Sequence, residues 1–123
     1  MGFFNNLFKE NEQWSEKELM ALFSLLKTMG FMDGKLDEDE LDVIYNFILN
    51  LPGSSVKNVH QFSALREKSA KVKVKLHFDV IIAMDKKKKE AVIRGLGLVA
   101  AADGEVDSEE MQFLLKFHQI LSS

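Results

Sequence analysis

Apolar residues recur at intervals of three and four along most of the chain, which is the spacing of one face of an α-helix. Such stripes cover residues 19–29, 43–51 and 113–121, and Pro52-Gly53 ends the second of them. The segment 86–102 is apolar on nearly every side, which predicts a helix surrounded by others at the centre of the fold. We therefore expect an all-α protein, a compact bundle of about six to seven helices.

The predicted helices begin at capping boxes. In this motif a Ser or Asp side chain accepts a hydrogen bond from a backbone amide, and a Glu three residues later accepts one from the amide of the cap. A helix is expected to begin one residue after each cap, and therefore at Glu16 for the first. The three boxes are Ser15-x-x-Glu18, Asp37-x-x-Glu40 and Asp107-x-x-Glu110.

One segment favours a strand over a helix. Lysines and apolar residues alternate with a period of two from Lys71 to Leu76, and the alternation continues to Phe78. No other segment resembles a partner strand, and a lone strand would leave its backbone hydrogen bonds unpaired. We therefore predict a helix that continues through Ile82, with the strand as the alternative.

An acidic octet occurs twice, 70 positions apart. Apolar residues around it repeat at the same offset, so that Ala21 is matched by Ala91 and Phe47 by Phe117. This predicts an internal pseudo-two-fold repeat of a helix, an acidic turn and a second helix. The two octets are Asp33-Gly34-Lys35-Leu36-Asp37-Glu38-Asp39-Glu40 and Asp103-Gly104-Glu105-Val106-Asp107-Ser108-Glu109-Glu110.

Size and composition restrict the class of protein. With 123 residues, 46% of them hydrophobic, the chain suits one compact domain. We assign residues 15–123 to that domain and residues 1–14 to a short amphipathic or disordered extension. The absence of cysteine excludes disulfides and thiolate metal sites. No apolar run approaches the roughly 20 residues of a membrane span, so a soluble cytoplasmic protein is expected.

Charge is distributed unevenly along the chain. Residues 57–90 contain ten Lys/Arg and four Asp/Glu, a net charge of +6, while the remainder carries −9 of the total −3. This predicts separate acidic and basic surfaces. The run Lys86, Lys87, Lys88 and Lys89 is either a patch for an anionic partner or phospholipid surface, or simply a solvated face. Nucleic-acid binding is not expected, because aromatic residues do not interleave with the lysines.

The acidic turns have a structural and a chemical interpretation. Helix capping explains the two Asp and two Glu of the second and third capping boxes. Asp33 and Asp103 instead lie near the end of a predicted helix, where the dipole disfavours an anion. They either accept hydrogen bonds in an Asx-turn or bind a divalent cation such as Ca²⁺, Mg²⁺ or Mn²⁺. An EF-hand is excluded, because its first ligands would be Met29 and Phe31 in one copy, which do not coordinate calcium.

The second copy, in which an apolar helix runs into Ala-Ala-Ala-Asp-Gly-Glu-Val-Asp-Ser-Glu-Glu, resembles the signature of the TerB-like family of tellurite-resistance proteins. The similarity spans residues 15–121, although the first copy has Met29-Gly30-Phe31-Met32 in place of the alanines. The resemblance implies an all-helical fold, a cytoplasmic or inner-membrane-associated setting and a role in a metal- and tellurite-linked stress response. It implies a metal role for the matching residues Asp33, Asp37, Glu40, Asp103, Asp107 and Glu110.

No feature of the chain predicts an enzyme. The sequence has no glycine-rich phosphate loop, and His60, His77 and His118 show neither metal-ligand spacing nor a neighbouring nucleophile motif. Two hypotheses follow. The protein is a helical interaction module with a protein partner, in which a divalent cation is part of the mechanism, or it is a dedicated cation-binding or cation-sensing protein. The resemblance also fits an adaptor associated with chaperone modules.

Overall fold

The structure is a computed structural model that describes residues 13–31, 37–102 and 108–122. Within these ranges the protein contains six α-helices and no β-strand, which confirms the all-α prediction. Of the predicted extension, residues 1–14, residues 1–12 lie outside the described residues. The helices are α1 (Glu16–Gly30), α2 (Glu38–Asn50), α3 (Val59–Ala70), α4 (Val74–Ile82), α5 (Lys86–Ala100) and α6 (Ser108–Ser122).

The first two capping boxes form as predicted. The Ser15 amide donates to Glu18 Oε1 at 2.9 Å, and the Glu18 amide donates to Ser15 Oγ at 3.1 Å. At the start of α2 the Glu40 amide donates to Asp37 Oδ1 at 2.8 Å, with a longer return contact of 3.4 Å from the Asp37 amide to Glu40 Oε1. Both helices therefore begin where the sequence predicts. The third box depends on Asp107, which lies outside the described residues.

The internal repeat is visible in the helix bounds. α1 and α5 each have 15 residues, and every position of α5 lies 70 residues after its equivalent in α1. Their N-caps, Ser15 and Asp85, are equivalent as well, and α2 and α6 begin at the equivalent residues Glu38 and Ser108. The pair α1–α2 therefore repeats as α5–α6, and α3 and α4 lie between the two copies in the chain.

The central helix is α1, and the prediction that the segment 86–102 would be central is wrong. α1 packs against α2, α3, α4 and α5, whereas α5 packs against α1, α2 and α6. Six consecutive residues, 21–26, are buried in α1. In α5 Arg94 is exposed and Leu98 is 48% exposed, so this helix has a free face. The even distribution of apolar residues in α5 did not show which face would be covered.

The segment with alternating lysines forms a helix, as predicted. Lys73 has an extended backbone, and α4 then runs from Val74 to Ile82. His77 and Ile81, one turn apart, are its buried residues. The His77 Nε2 atom lies 2.9 Å from the carbonyl oxygen of Ser69 in α3, which joins the two helices. The helix buries residues on one face, whereas a strand would have placed alternate side chains on two opposite faces.

Candidate functional site

α1 and α5 run side by side in the same direction. Near their starts, Lys88 Nζ lies 2.9 and 3.0 Å from the two carboxylate oxygens of Glu18. Further along, a Cβ atom on Gly95 would lie 3.1 Å from Leu26 Cδ2. Because both contacts join nearly equivalent residues, both helices end at the same end of the bundle. We call this the acidic end, and it contains the described residues Phe31, 37–40, 101–102 and 108–110.

The described carboxylates of the acidic end differ in exposure. Asp37 caps α2, and Glu38, Asp39 and Glu109 are exposed. Glu40 and Glu110 are 3% and 5% exposed, respectively. These two glutamates occupy equivalent positions in the two copies, each in the first turn of its helix. The helix dipole favours an anion at that place.

Burial of the two glutamates was not predicted. Both were interpreted as capping partners, a role that normally leaves the carboxylate in contact with solvent. Glu40 has the weak return contact with the Asp37 amide, and both glutamates have other interactions within the protein. Both copies have Glu at this position, as they also share Asp, Gly and Asp earlier in the octet, so the sequence did not single out these two residues.

The proposed metal ligands are only partly covered by the structure. Asp37, Glu40 and Glu110 are described, whereas Asp33, Asp103 and Asp107 lie outside the described residues. Across residues 13–31, 37–102 and 108–122, no three His, Cys, Asp or Glu side chains lie close enough to hold a metal ion. The available donors are carboxylate oxygens, which suit hard cations such as Ca²⁺, Mg²⁺ and Mn²⁺. The metal role of the six residues stays a prediction.

The lysine run lies at the opposite end of α5. Asp85 Oδ1 caps the helix by accepting from the Lys88 amide at 2.9 Å. Lys88 is not part of a solvated face, because its side chain is 13% exposed, pairs with Glu18 and lies 5.7 Å from the ring centre of Trp14. Lys86 and Lys87 are exposed and Lys89 is half-buried. We call this the basic end, which also includes the ion pair between Glu16 and Lys68 at 2.9 Å.

A cleft of about 240 Å³ opens at the basic end. The Trp14 amide donates to the carbonyl oxygen of Gly53 at 3.1 Å, which holds the indole beside the end of α2. Sequence reasoning missed this cleft, although opposite charges at the equivalent positions 18 and 88 were a signal of contact between the copies. Its lining consists of Trp14, Leu51, Pro52, Lys87, Lys88, Glu90, Ala91 and Arg94.

The three histidines differ in their exposure. His60 and His118 are exposed. His77 is buried, and its contact with the Ser69 carbonyl accounts for one ring nitrogen. His60 and His118 are therefore ordinary surface residues, as expected from the sequence. His77 instead takes part in the packing of α3 against α4.

The fold defines a class of protein, the all-helical domains built from two copies of a helix pair, here α1–α2 and α5–α6. Residues 11–122 match the family model described as tellurite resistance protein TerB. The chain belongs to this TerB family. Throughout the described ranges, no helix has the combination of length and apolar character that a membrane crossing requires.

The fold is similar to that of a solved protein. The crystal structure of a protein of unknown function from Porphyromonas gingivalis matches with a TM-score of 0.73 and 23% sequence identity. The match covers 89% of this chain and 86% of the other. At that identity the comparison supports the fold alone. No curated protein matches the chain.

Proposed function

We propose that the protein is a non-enzymatic helical interaction module in a tellurite- or metal-linked stress response, and that its acidic end binds a divalent cation. The observation that carries this proposal is the parallel arrangement of α1 and α5. α1 and α5 end together, so the described carboxylates Asp37, Glu40 and Glu110 belong to one end of the molecule. A single turn would offer few oxygen donors, whereas two turns together offer the larger set that a hard cation needs.

Two buried glutamates lie at the same end. Taking a carboxylate out of water is unfavourable unless hydrogen bonds or a positive charge compensate. Glu40 and Glu110 are buried at equivalent positions of this end, and interactions within the protein accompany their burial. With Asp37 and the sequence-predicted Asp33, Asp103 and Asp107, they form the set of residues that would hold the cation. The ion would then link the first turns of α2 and α6, which belong to different copies of the repeat.

The interaction part of the proposal rests on exposed apolar residues beside these carboxylates. Phe31 is 48% exposed where α1 ends, and Met111 is exposed in the first turn of α6. An apolar centre with a charged rim is typical of surfaces that bind a protein partner. A cation that reduced the negative charge of this end would therefore change which partners it attracts.

Thermal unfolding in the presence of Ca²⁺, Mg²⁺, Mn²⁺ or Zn²⁺ tests the cation site. A ligand that binds only the folded protein stabilises it by about 2.7 kcal/mol at a concentration of 100 Kd. We expect a saturable, ion-specific rise in Tm for the wild type and no rise for Asp33→Asn/Asp103→Asn. The matched control is Asp39→Asn/Glu109→Gln, which removes two exposed charges at equivalent positions in the first turns of α2 and α6.

The control separates a site from general electrostatic attraction. If the ion binds at a defined site, the control variant keeps the ion-dependent rise in Tm. An equal loss in both variants would show diffuse attraction to a negative surface. No rise with any ion in the wild type would contradict the cation site and leave an interaction module that acts without metal.

A further inference from the structure

We propose that the protein assembles head to tail, with the acidic end of one copy bound in the cleft at the basic end of the next. The two ends of the bundle are opposite in charge and both expose apolar surface. α1 and α5 have 15 residues each, so a straight helix places these ends about 22 Å apart. At physiological salt this is more than two Debye lengths, so one copy does not neutralise its own ends.

The cleft is suited to an anionic partner with an apolar anchor. Trp14, Leu51 and Ala91 are buried residues that line it. Lys87 and Arg94 lie seven residues apart in α5, which places them on the same side of the helix as the lining residue Ala91. Within the described chain neither of these two cations has a carboxylate within 4 Å, so both are available to a partner. Glu90 is the one acidic residue among those that line this cleft.

Two ion pairs lie near the cleft. Lys88 binds Glu18, and Lys68 binds Glu16. Glu16 and Glu18 therefore do not compete for Lys87 or Arg94. The remaining cations at the start of α5, Lys86 and Lys89, add to the positive field around the cleft.

The acidic end offers the complementary surface. Phe31 exposes about half of its surface, and the exposed carboxylates Glu38, Asp39 and Glu109 belong to the same end. No Lys, Arg or His of the described residues lies within 4 Å of these three carboxylates. A phenyl ring and carboxylates exposed at the same end match an apolar cleft with a cationic rim. The acidic end of a second protein molecule therefore complements the cleft in both polarity and charge.

Such a contact joins two different surfaces of the same molecule. It is heterologous, so a joined pair keeps one free acidic end and one free basic end, and assembly continues into a ring or an open chain. This consequence distinguishes the proposal from a symmetric dimer, in which one surface would contact itself. The proposal does not rest on the cation site, and the assembly is measured in the presence of a chelator.

Sedimentation velocity over a concentration series tests the proposal. We expect the wild type to assemble at low salt and to dissociate as the salt rises from about 0.1 M to about 1 M, because the Debye length falls from about 10 Å to about 3 Å. Lys87→Glu/Arg94→Glu and Glu38→Lys/Asp39→Lys should each weaken assembly at least about tenfold, because like charges then face each other. The matched control is Lys57→Glu/Lys116→Glu, which reverses two exposed lysines that do not line the cleft and should assemble normally.

Mixing the two end variants gives the decisive result. Each variant keeps one intact end, and their two reversed ends are complementary to each other, so an equimolar mixture should assemble although neither variant does so alone. The fourfold variant, with both ends reversed, should regain assembly. A wild type that stays monomeric at low salt, a mixture that does not associate, or a control that loses assembly would overturn the proposal. Circular dichroism verifies that each variant is folded.

Discussion

The close approach of α2 to α5 depends on the absence of a side chain at Gly95. A Cβ atom there would lie 2.7 Å from Phe47 Cε2 and 3.1 Å from Phe47 Cζ and from Leu26 Cδ2. Real Cβ contacts of 2.7 Å essentially do not occur, so the phenyl ring would have to move. A ring atom of a half-buried phenylalanine moves less easily than the end of a flexible chain. We therefore predict that Gly95→Ala destabilises the protein.

The magnitude follows from two opposing effects. Alanine is favoured over glycine inside a helix by about 0.8–1.0 kcal/mol. Overpacking in a well-packed core costs about 1–3 kcal/mol. The net change for Gly95→Ala is therefore a loss of roughly 0–2 kcal/mol. Gly97 is two residues away in the same helix and a Cβ there would meet nothing within 4 Å, so Gly97→Ala should gain about 0.5–1 kcal/mol.

Urea denaturation of the two variants measures the difference directly. Both substitutions have the same intrinsic helix preference, so subtraction removes that effect and leaves about 1–3 kcal/mol for the contact with Phe47. Gly95→Ala/Phe47→Leu should recover part of the loss, since the second substitution removes the ring. Equal stability of Gly95→Ala and Gly97→Ala would refute the reasoning, because it would show that α2 and α5 separate without cost.

Two further predictions concern contacts between helices. Lys88→Ala should lower the free energy of unfolding by about 1–3 kcal/mol, because the Glu18 side chain, 20% exposed, loses its charged hydrogen-bond partner. The exposed Lys86→Ala is the control and should change stability by less than about 0.5 kcal/mol; equal effects would show that the ion pair contributes nothing. His77→Ala should cost at least about 1–3 kcal/mol in urea denaturation, since it removes a buried contact with the Ser69 carbonyl. His60→Ala, at an exposed position, should have little effect, and a tolerated His77→Ala would contradict the role of this contact.

Local signals predicted most of the fold. Capping boxes fixed the starts of α1 and α2, because their hydrogen bonds lie within four residues of chain and need no tertiary partner. The repeat at an offset of 70 predicted the equivalence of α1 and α5, which their bounds confirm. The direction in which α1 and α5 pack was not predictable from these signals. It depends on contacts such as Glu18 with Lys88, which join residues far apart in the chain.

The sequence predicted which residues occupy the acidic end, but not which of them are buried. Asp37 was correctly assigned as a cap, because its role depends on its own turn. The burial of Glu40 and Glu110 was missed, since burial depends on which helices surround the carboxylate. The cleft was missed for the same reason. Trp14 reaches it through a backbone hydrogen bond to Gly53, a partner that no local pattern identifies.

The segment between the two copies breaks their symmetry, and this explains where the free surface lies. α3 and α4 pack on α1, so Phe23 contacts Phe62 at a ring separation of 5.5 Å and Ser24 is buried. The position equivalent to Ser24 is Arg94, which is exposed in α5. Within the described chain, no helix covers α5 as α3 and α4 cover α1. The repeat therefore produces one covered helix and one uncovered helix of the same length, and the uncovered one contributes the cations of the cleft.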